Sequence, residues 1–210
     1  PVQGESGVHP ANSEFLRTAR ELCDKLEAAL IFDEVQTGLG RTGKMFGYQN
    51  YDILPDIITL AKSLGGGLPI GCMVAKRQIA DILQPGMHAS TFGGSPIVCK
   101  AALGVFKAIK KDKMLSNSLK MSEYLFTKLN ALAKKHKIIK EVRGLGLMIG
   151  VELNTKGADI VNECLKNGLI INCTHDTVLR LMPALNVTKR QADKAMNILD
   201  KVLGGVSYGG

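Results

Sequence analysis

The sequence predicts an α/β fold in which a first, sheet-containing domain is followed by a small α+β domain. Residues 30–33 and 56–61 are short apolar, β-branched runs that end abruptly in polar residues and glycine, as buried parallel strands do at the edge of a sheet. After residue 95 the pattern changes to long stretches of helical period followed by short strands. With 210 residues and 45% hydrophobic content, the chain can bury one large core or two small ones.

The first part of the chain alternates between helix and strand. Apolar residues recur at helical spacing after Asn12 and Ser13, either of which can cap a helix. The predicted elements are a helix over residues 12–29, a strand ending at Asp33, an irregular glycine-rich segment over 38–47, and strands over 56–61 and 70–75. This order of elements favours an α/β sheet.

The second part of the chain carries lysine-rich amphipathic helices and short strands. The predicted helices cover residues 96–110, 115–137, 158–167 and 189–203, and the predicted strands cover 147–153, 169–172 and 178–182. The pattern therefore predicts three segments: a first domain of residues 1–110, a second domain of residues 111–203, and a mobile tail of residues 204–210.

Two chemically reactive side chains stand at the ends of the two predicted parallel strands. Asp33 ends the first strand and Lys62 follows the second. Ligands of open α/β sheets bind at the carboxyl ends of strands. An amine and a carboxylate at one edge suit an enzyme that uses pyridoxal 5′-phosphate, in which a lysine bonds to the cofactor and an aspartate holds its ring nitrogen protonated. The alternatives are a solvated lysine at a strand end and an aspartate that caps a loop.

Several longer blocks of sequence resemble the class III, fold-type I aminotransferases, and among them the acetylornithine aminotransferase branch. The blocks are residues 3–8, 32–43, 55–62, 90–96 and 142–152, and the resemblance runs from residue 1 to about residue 203. It implies a partial fold-type I large domain followed by the small α+β domain. It also places residue 1 near the middle of a normal subunit. A phosphate loop and a ring-stacking aromatic residue are then expected to be missing, and the isolated fragment is expected to be inactive.

The resemblance also assigns roles around the cofactor. Lys62 would be the covalent attachment point and would then carry the proton of the reaction, and Asp33 would hold the ring nitrogen. Val35 would pack on the ring, and Gln36 would contact its phenolic oxygen. Glu34 would point to the opposite face, because side chains alternate along a strand, and is expected to be structural.

Ser90 and Thr91 lie in a glycine-rich turn whose hydroxyl and amide groups suit phosphate oxygens. The resemblance implies that Thr91 reaches the cofactor phosphate of the neighbouring subunit, so that the active unit would be a homodimer with shared sites. Taken alone, the stretch is only a turn before the helix that starts near Pro96, since serine, threonine, glycine and proline are expected in such a turn.

Arg180 stands inside an apolar, strand-like run, where a guanidinium is costly to bury without a carboxylate partner. The alternative is an edge-strand arginine that faces solvent. In the family that the chain resembles, this arginine binds the substrate α-carboxylate, and the glutamate that matches Glu5 pairs with it between substrates. Ser6 departs from the glycine or alanine usual at its position.

The function implied by the resemblance is transfer of an amino group from N2-acetylornithine to 2-oxoglutarate, in arginine biosynthesis. The alternatives are the succinylornithine, ornithine, lysine-pathway and 4-aminobutyrate transaminases, which share these motifs. A different class also stands, namely a truncated domain that binds no cofactor and only folds or associates.

Composition argues against several other classes of protein. The net charge of +8 comes largely from lysines on helical faces, and aromatic residues make up only 5%, so we expect no nucleic-acid partner. We expect no membrane association, since no apolar run has transmembrane length. The five cysteines form no C-x-x-C pair and predict reduced, mostly buried thiols in a cytoplasmic protein. The four histidines lack metal-ligand spacing, and no metal site is expected.

Overall fold

The computed structural model describes residues 1–205. In chain order its strands are β1 (Val2–Gln3), β2 (His9–Pro10), β3 (Ile31–Asp33), β4 (Ile57–Leu60), β5 (Cys72–Ala75), β6 (Ile139–Leu145), β7 (Met148–Leu153), β8 (Asn172–Thr174) and β9 (Val178–Leu181). Its α-helices are α1 (Ser13–Lys25), α2 (Arg77–Ala80), α3 (Pro96–Lys111), α4 (Met114–Lys135), α5 (Ala158–Lys166) and α6 (Lys189–Gly205). Short 3₁₀ helices cover Gly47–Asn50 and Lys62–Gly65.

The chain forms two compact units. Unit 1 contains Pro1 and Ala11–Leu115, and unit 2 contains Val2–Pro10 and the chain from Ser116 onward. The predicted division after residue 110 differs from this in two ways. The boundary falls after Leu115, near the start of α4, and residues 2–10 belong with the second unit, because β2 lies beside β6.

Unit 1 is built on a three-stranded sheet in the order β3-β4-β5. Strands β3 and β4 are parallel, as predicted, with Asp33 opposite Thr59, and β5 pairs antiparallel with β4. Helix α1 begins at the predicted cap, since Asn12 Oδ1 accepts a hydrogen bond of 2.7 Å from the Glu14 amide. The fully or nearly buried core of this unit consists of Leu16, Phe32, Leu39, Ile53, Ile58, Leu60, Leu64, Ala102 and Ile109.

Unit 2 contains a four-stranded antiparallel sheet in the order β6-β7-β9-β8. Helices α4, α5 and α6 supply apolar side chains to the same core as this sheet. The residues with no measurable exposure in this core include Leu129, Leu147, Ile149, Val151, Cys164, Leu179, Leu199 and Leu203. A small domain of α+β type is therefore confirmed for this part of the chain.

Three elements of unit 2 differ from the prediction. The predicted strand over residues 169–172 is wrong: the strand is Asn172–Thr174, because the chain first leaves α5 through Gly168, whose φ is +85°. Strand β6 was not predicted, since the consecutive charged residues Lys140 and Glu141 break the alternation of apolar and polar side chains, and the pairing with β7 shifts register there. Helix α6 extends to Gly205, so the predicted tail of 204–210 begins too early. Residues 206–210 lie outside the part of the chain that the structure describes.

The five cysteines are free thiols, but their exposure varies more than expected. Cys164 is buried, Cys72 is exposed, and the other three are half-buried. Burial raises the pKa of the Cys164 thiol to about 11. Across residues 1–205, none of the helices has both the length and the apolar character that crossing a membrane requires.

Candidate active site

The pairing of β3 with β4 brings Asp33 and Lys62 to the same edge of the unit 1 sheet. Asp33 is the last residue of β3 and lies opposite Thr59. Lys62 follows the end of β4, where it begins a 3₁₀ helix. Both side chains are exposed at the carboxyl ends of parallel strands, which is where ligands bind in sheets of this kind.

Lys62 adopts an uncommon backbone conformation. Its φ is +47°, in the left-handed region, which costs a non-glycine residue on the order of 1–3 kcal/mol. Such residues persist only where the surrounding structure determines them, and they concentrate at functional sites. Here the 3₁₀ turn is closed by hydrogen bonds from the Leu64 amide to Ala61 (2.9 Å) and from the Gly66 amide to Ser63 (3.2 Å). The amine of Lys62 is thus presented by a strained but well-bonded turn.

The residues after Asp33 are positioned by two carboxylates. Asp33 Oδ1 accepts a hydrogen bond of 2.9 Å from the Val35 amide, which fixes the orientation of its carboxylate. Val35 and Gln36 are half-buried, while Glu34 is 1% exposed. Glu34 turns inward and accepts hydrogen bonds from the amides of Gly47 (2.8 Å) and Tyr48 (2.7 Å) and from the Thr37 hydroxyl. The structural role expected for Glu34 is confirmed, because it ties together the two ends of the glycine-rich segment.

Asp56 braces the start of β4. Its side chain accepts hydrogen bonds from Arg20 (2.6 Å), Lys76 (2.7 Å) and the Leu30 amide (2.8 Å). Burial is the largest single influence on the pKa of Asp56, and it raises that pKa. The three hydrogen bonds together outweigh burial and hold the pKa well below its ordinary range. The carboxylate therefore links α1 and the residue after β5 to the strand that leads to Lys62.

Ser90 and Thr91 lie in an exposed turn before α3. The Gly93 amide donates to the Ser90 carbonyl at 3.2 Å, and the Ser95 amide donates to the Phe92 carbonyl at 3.3 Å. A Cβ at Gly93 would lie 2.9 Å from the Ser90 Cβ, so the turn requires glycine at that position. The two hydroxyl-bearing residues are accessible, and their predicted phosphate contact stays a prediction.

Glu5 and Arg180, which belong together to unit 2, form an ion pair. Arg180 Nη1 lies 2.6 Å from Glu5 Oε1. The side chain of Arg180 is 15% exposed, whereas that of Glu5 is 71% exposed. Arg180 Nε also donates to Asn172 Oδ1 at 3.3 Å, across the β8–β9 pair. The contact implied by the resemblance is present, and the role of the pair in substrate binding stays a prediction.

Glu5 is carried by the loop of a small hairpin. Strands β1 and β2 pair Val2 with Pro10 and Gln3 with His9. Within the loop, Val8 is fully buried and has a φ of +58°, which is a clear outlier for a β-branched residue. Arg143, on β6, donates hydrogen bonds to the carbonyl oxygens of Gly7 and Val8.

Reasoning from the sequence alone did not single out Arg143 or Asn172. Arg143 lies in a block that resembles the family, but a contact with Gly7 depends on how β6 packs against the hairpin. Asn172 was placed at the end of a strand, and its position opposite Arg180 depends on the strand register. The only signal in the sequence was an arginine within an otherwise apolar stretch, which needs acceptors when it is buried.

The functional groups at the sheet edge of unit 1 suit pyridoxal 5′-phosphate. A primary amine can bond to the aldehyde of that cofactor, and a carboxylate can hold its ring nitrogen protonated. Lys62 and Asp33 supply one of each at the ends of adjacent strands. Gly67, five residues after Lys62, is at an open position, since a Cβ added there would meet no atom within 4 Å. No group of histidine, cysteine or acidic side chains within residues 1–205 could hold a metal ion.

Comparison with known proteins identifies the family. The family model for class-III aminotransferases matches residues 1–203, and the chain belongs to this family. The acetylornithine aminotransferase of Methanocaldococcus jannaschii is 52% identical over 206 residues, which cover 96% of this chain and 51% of that protein. The acetylornithine aminotransferase of Caldanaerobacter subterraneus is 48% identical over 208 residues, which cover 99% of this chain and 53% of that protein.

Solved structures share the fold. The ornithine aminotransferase of Toxoplasma gondii, described as having partial occupancy of PLP at its active site, is 34% identical to this chain. It superposes with a TM-score of 0.93 over 98% of this chain and 50% of that one. The mixed α/β fold predicted for a partial fold-type I aminotransferase is therefore confirmed. The chain spans about half the length of the curated relatives that it matches.

Proposed function

We propose that the protein transfers an amino group from N2-acetylornithine to 2-oxoglutarate, with pyridoxal 5′-phosphate as cofactor, in the biosynthesis of arginine. The observation that carries this proposal is the position of Lys62 and Asp33 at the carboxyl ends of adjacent parallel strands, in a chain of the class-III aminotransferase family. The proposed donor is supported by the 52% and 48% identity to acetylornithine aminotransferases.

The residues of unit 1 would hold the cofactor. The amine of Lys62 would bond to its aldehyde carbon, and the carboxylate of Asp33, oriented by the Val35 amide, would keep its ring nitrogen protonated. Val35 and Gln36, both half-buried, would contact the ring. When bound, the cofactor supplies an electron sink for the carbon that carries the amino group. Lys62 Nζ would move the proton to and from that carbon as a general base and acid.

Arg180 would bind the α-carboxylate of a substrate in this proposal. A guanidinium presents a planar fork of donors that matches a carboxylate. Glu5 occupies Nη1 of that fork at 2.6 Å, so an incoming carboxylate has to displace it. A substrate whose reacting amine is distal would leave the Glu5–Arg180 pair intact, and 2-oxoglutarate would break it.

The proposed assembly is a homodimer in which Ser90 and Thr91 bind the phosphate of the cofactor held by the partner subunit. The exposed turn that carries both hydroxyl groups supports this part of the proposal. We further propose that the protein is cytoplasmic, because its five cysteines are free thiols.

Ornithine is a second candidate donor, supported by the similarity to the ornithine aminotransferase of T. gondii. N2-succinylornithine is a third, supported by 41% identity to a succinylornithine transaminase. A panel of amino donors (N2-acetylornithine, N2-succinylornithine, ornithine, lysine and 4-aminobutyrate) separates these alternatives. The protein encoded by the complete gene is incubated with each donor and 2-oxoglutarate, and glutamate is measured. The proposal requires the highest kcat/KM for N2-acetylornithine, and a higher value for another donor would replace it.

Covalent trapping tests the cofactor site directly. The protein is loaded with pyridoxal 5′-phosphate, reduced with borohydride, and digested for peptide mass spectrometry. The phosphopyridoxyl group should be found on Lys62 and should be lost in Lys62→Ala, whose circular dichroism stays unchanged. Lys44→Ala is the matched control, since Lys44 is exposed in the neighbouring glycine-rich segment. Labelling of Lys44 or Lys76 instead would refute the assignment, and absence of any labelling would favour a domain that only folds or associates.

A further inference from the structure

The loop that carries Glu5 is held by an arginine that the proposed function does not use. Arg143 is on β6, and its side chain is 10% exposed. Its Nε and Nη2 donate to the Gly7 carbonyl at 3.0 and 2.8 Å, and Nε also donates to the Val8 carbonyl at 3.2 Å. One guanidinium therefore binds two consecutive carbonyl groups, two and three positions after Glu5.

The conformation of this loop needs support from outside. Gly7 and Val8 have φ values of +116° and +58°, and the second is unfavourable for a β-branched side chain. The backbone hydrogen bonds that Gly7 and Val8 make within the loop are long, at 3.5 and 3.4 Å from their amides to the Gly4 carbonyl. The shorter bonds to these residues come from Arg143, which is thus the principal polar contact that stabilises the strained conformation.

Arg143 is itself fixed by carboxylates. Its Nη1 donates to Glu141 at 2.7 Å and to Glu152. Glu152 also binds Lys140 at 2.7 Å, and these two cations lower its pKa to about 2. The carboxylate is therefore ionised at neutral pH, and it holds the guanidinium with Nη1 turned toward β7 and with Nε and Nη2 turned toward the loop. A lysine at this position could pair with the two carboxylates, but it could not at the same time bind the two loop carbonyl groups in this geometry.

We propose that Arg143 is a positioning residue, which keeps the carboxylate of Glu5 on Arg180 by holding the strained loop at Gly7 and Val8. It thereby sets how readily Arg180 accepts the carboxylate of a substrate. The consequence for substrate preference rests on the function proposed above, whereas the effect on the Glu5–Arg180 pair does not.

Chemical modification of Arg180 tests the pair without any catalytic assay. Phenylglyoxal reacts with accessible guanidino groups, and the rate at Arg180 is followed by peptide mass spectrometry in the complete protein. Glu5→Gln should raise this rate, and Arg143→Lys should raise it by a similar factor, roughly tenfold. The double variant should react no faster than Glu5→Gln, because Arg143 acts through Glu5. Lys140→Gln is the matched control: it removes a cation from Glu152 without touching the loop and should leave the rate unchanged.

Kinetics of the two half-reactions give a second readout. In Arg143→Lys the ratio of kcat/KM for glutamate to that for N2-acetylornithine should rise, as in Glu5→Gln, because Arg180 is available for a carboxylate more of the time. The change should appear mainly in KM, and it should vanish when Arg143→Lys is introduced into Glu5→Gln. A general loss of folding would instead lower both half-reactions together.

The proposal is overturned if phenylglyoxal modifies Arg180 in Arg143→Lys at the same rate as in the unaltered protein. It is also overturned if Arg143→Lys raises this rate as much in the Glu5→Gln background as it does alone. If Arg143→Lys does not fold, Glu152→Gln replaces it, since that variant keeps Arg143 and removes the more buried of the two carboxylates that orient it. An intermediate rise in the Arg180 rate is then expected, and an unchanged rate refutes the proposal. Failure of the unaltered protein to transfer amino groups would refute the proposed function alone, because the modification rates still decide on Arg143.

Discussion

Glu34 accepts a hydrogen bond of 2.8 Å from the amide of Gly47, thirteen residues further along the chain. Its second oxygen accepts a bond of 2.7 Å from the Tyr48 amide. Glu34 directly follows Asp33, and its carboxylate is buried. It therefore connects the end of β3, which carries a proposed catalytic residue, to the far end of the glycine-rich segment. A Cβ at Gly47 would lie 2.9 Å from Glu34 Oε2, which explains why glycine stands there.

Glu34→Gln should destabilise this segment strongly, although glutamine has nearly the same shape as glutamate. An amide group has one oxygen and one NH₂, so one backbone donor would face another donor in the buried site. Each hydrogen bond to a charged group contributes about 1.5–3 kcal/mol, and we expect a loss of about 2–4 kcal/mol in the free energy of unfolding. Urea denaturation measures this loss, and hydrogen exchange at residues 47 and 48 locates it. Glu21→Gln, at an exposed position of α1, is the control and should change stability by less than about 0.5 kcal/mol.

Asp56 and Asp24 both pair with Arg20, but only Asp56 is buried, with side-chain exposures of 9% and 66%. Asp56→Asn should therefore cost about 3 kcal/mol, since it leaves Arg20 and Lys76 without their buried partner. Asp24→Asn removes a surface ion pair and should cost less than about 1 kcal/mol. Thermal and urea unfolding of the two variants at neutral pH make the comparison, and equal effects would contradict the bracing role of Asp56.

The same carboxylate predicts a dependence of stability on pH. The pKa of Asp56 in the folded protein lies below its ordinary value of 3.8, so the ionised group stabilises the fold above that pH. The stabilisation is lost progressively as the pH falls toward the lower folded pKa. The difference in unfolding free energy between the unaltered protein and Asp56→Asn should thus be constant near neutral pH and shrink below about pH 4. A difference that does not change between pH 7 and pH 3 would contradict this.

The thiols should react in the order of their exposure. Cys72 is exposed, whereas Cys164 is buried and its pKa is raised to about 11. At pH 8 roughly one in a thousand Cys164 side chains would be thiolate even if reagent could reach it. Iodoacetamide should therefore alkylate Cys72 rapidly and leave Cys164 unmodified until the protein is unfolded in urea. Peptide mass spectrometry over a time course measures both rates, and early labelling of Cys164 would show that the unit 2 core opens readily.

Arg180→Ala should raise the KM for 2-oxoglutarate strongly, because the substrate carboxylate loses its proposed bidentate partner. Glu5→Ala should leave Arg180 available and shift preference toward substrates whose α-carboxylate it can bind. Both half-reactions are measured in each variant, with absorbance used to confirm that cofactor is bound. Arg190→Ala, at an exposed position of α6, is the control. Small and equal changes for every substrate would mean that the ion pair is structural.

The longer helices of this protein were predictable because their apolar residues repeat at a local period, whereas the four-residue helix α2 was not predicted. Helices α3 and α4 lie within a few residues of the predicted ranges, and α1 begins at the predicted cap. Short strands were less predictable. The two hairpin strands at the start of the chain have two residues each, too few for a period, and β8 begins later than its apolar run because a glycine turn precedes it.

The sequence by itself determined the α/β order of elements, the parallel strands that end near Asp33 and Lys62, and the chemistry that those two residues can supply. Such features follow from short-range patterns and motifs. The tertiary structure alone decided that residues 2–10 belong to unit 2, that Asn172 lies opposite Arg180, and that Arg143 holds the strained loop. The physical reason is the distance along the chain. Glu5 and Arg180 are 175 positions apart, and their contact depends on how hairpin and sheet pack and on strand register, neither of which a local pattern encodes.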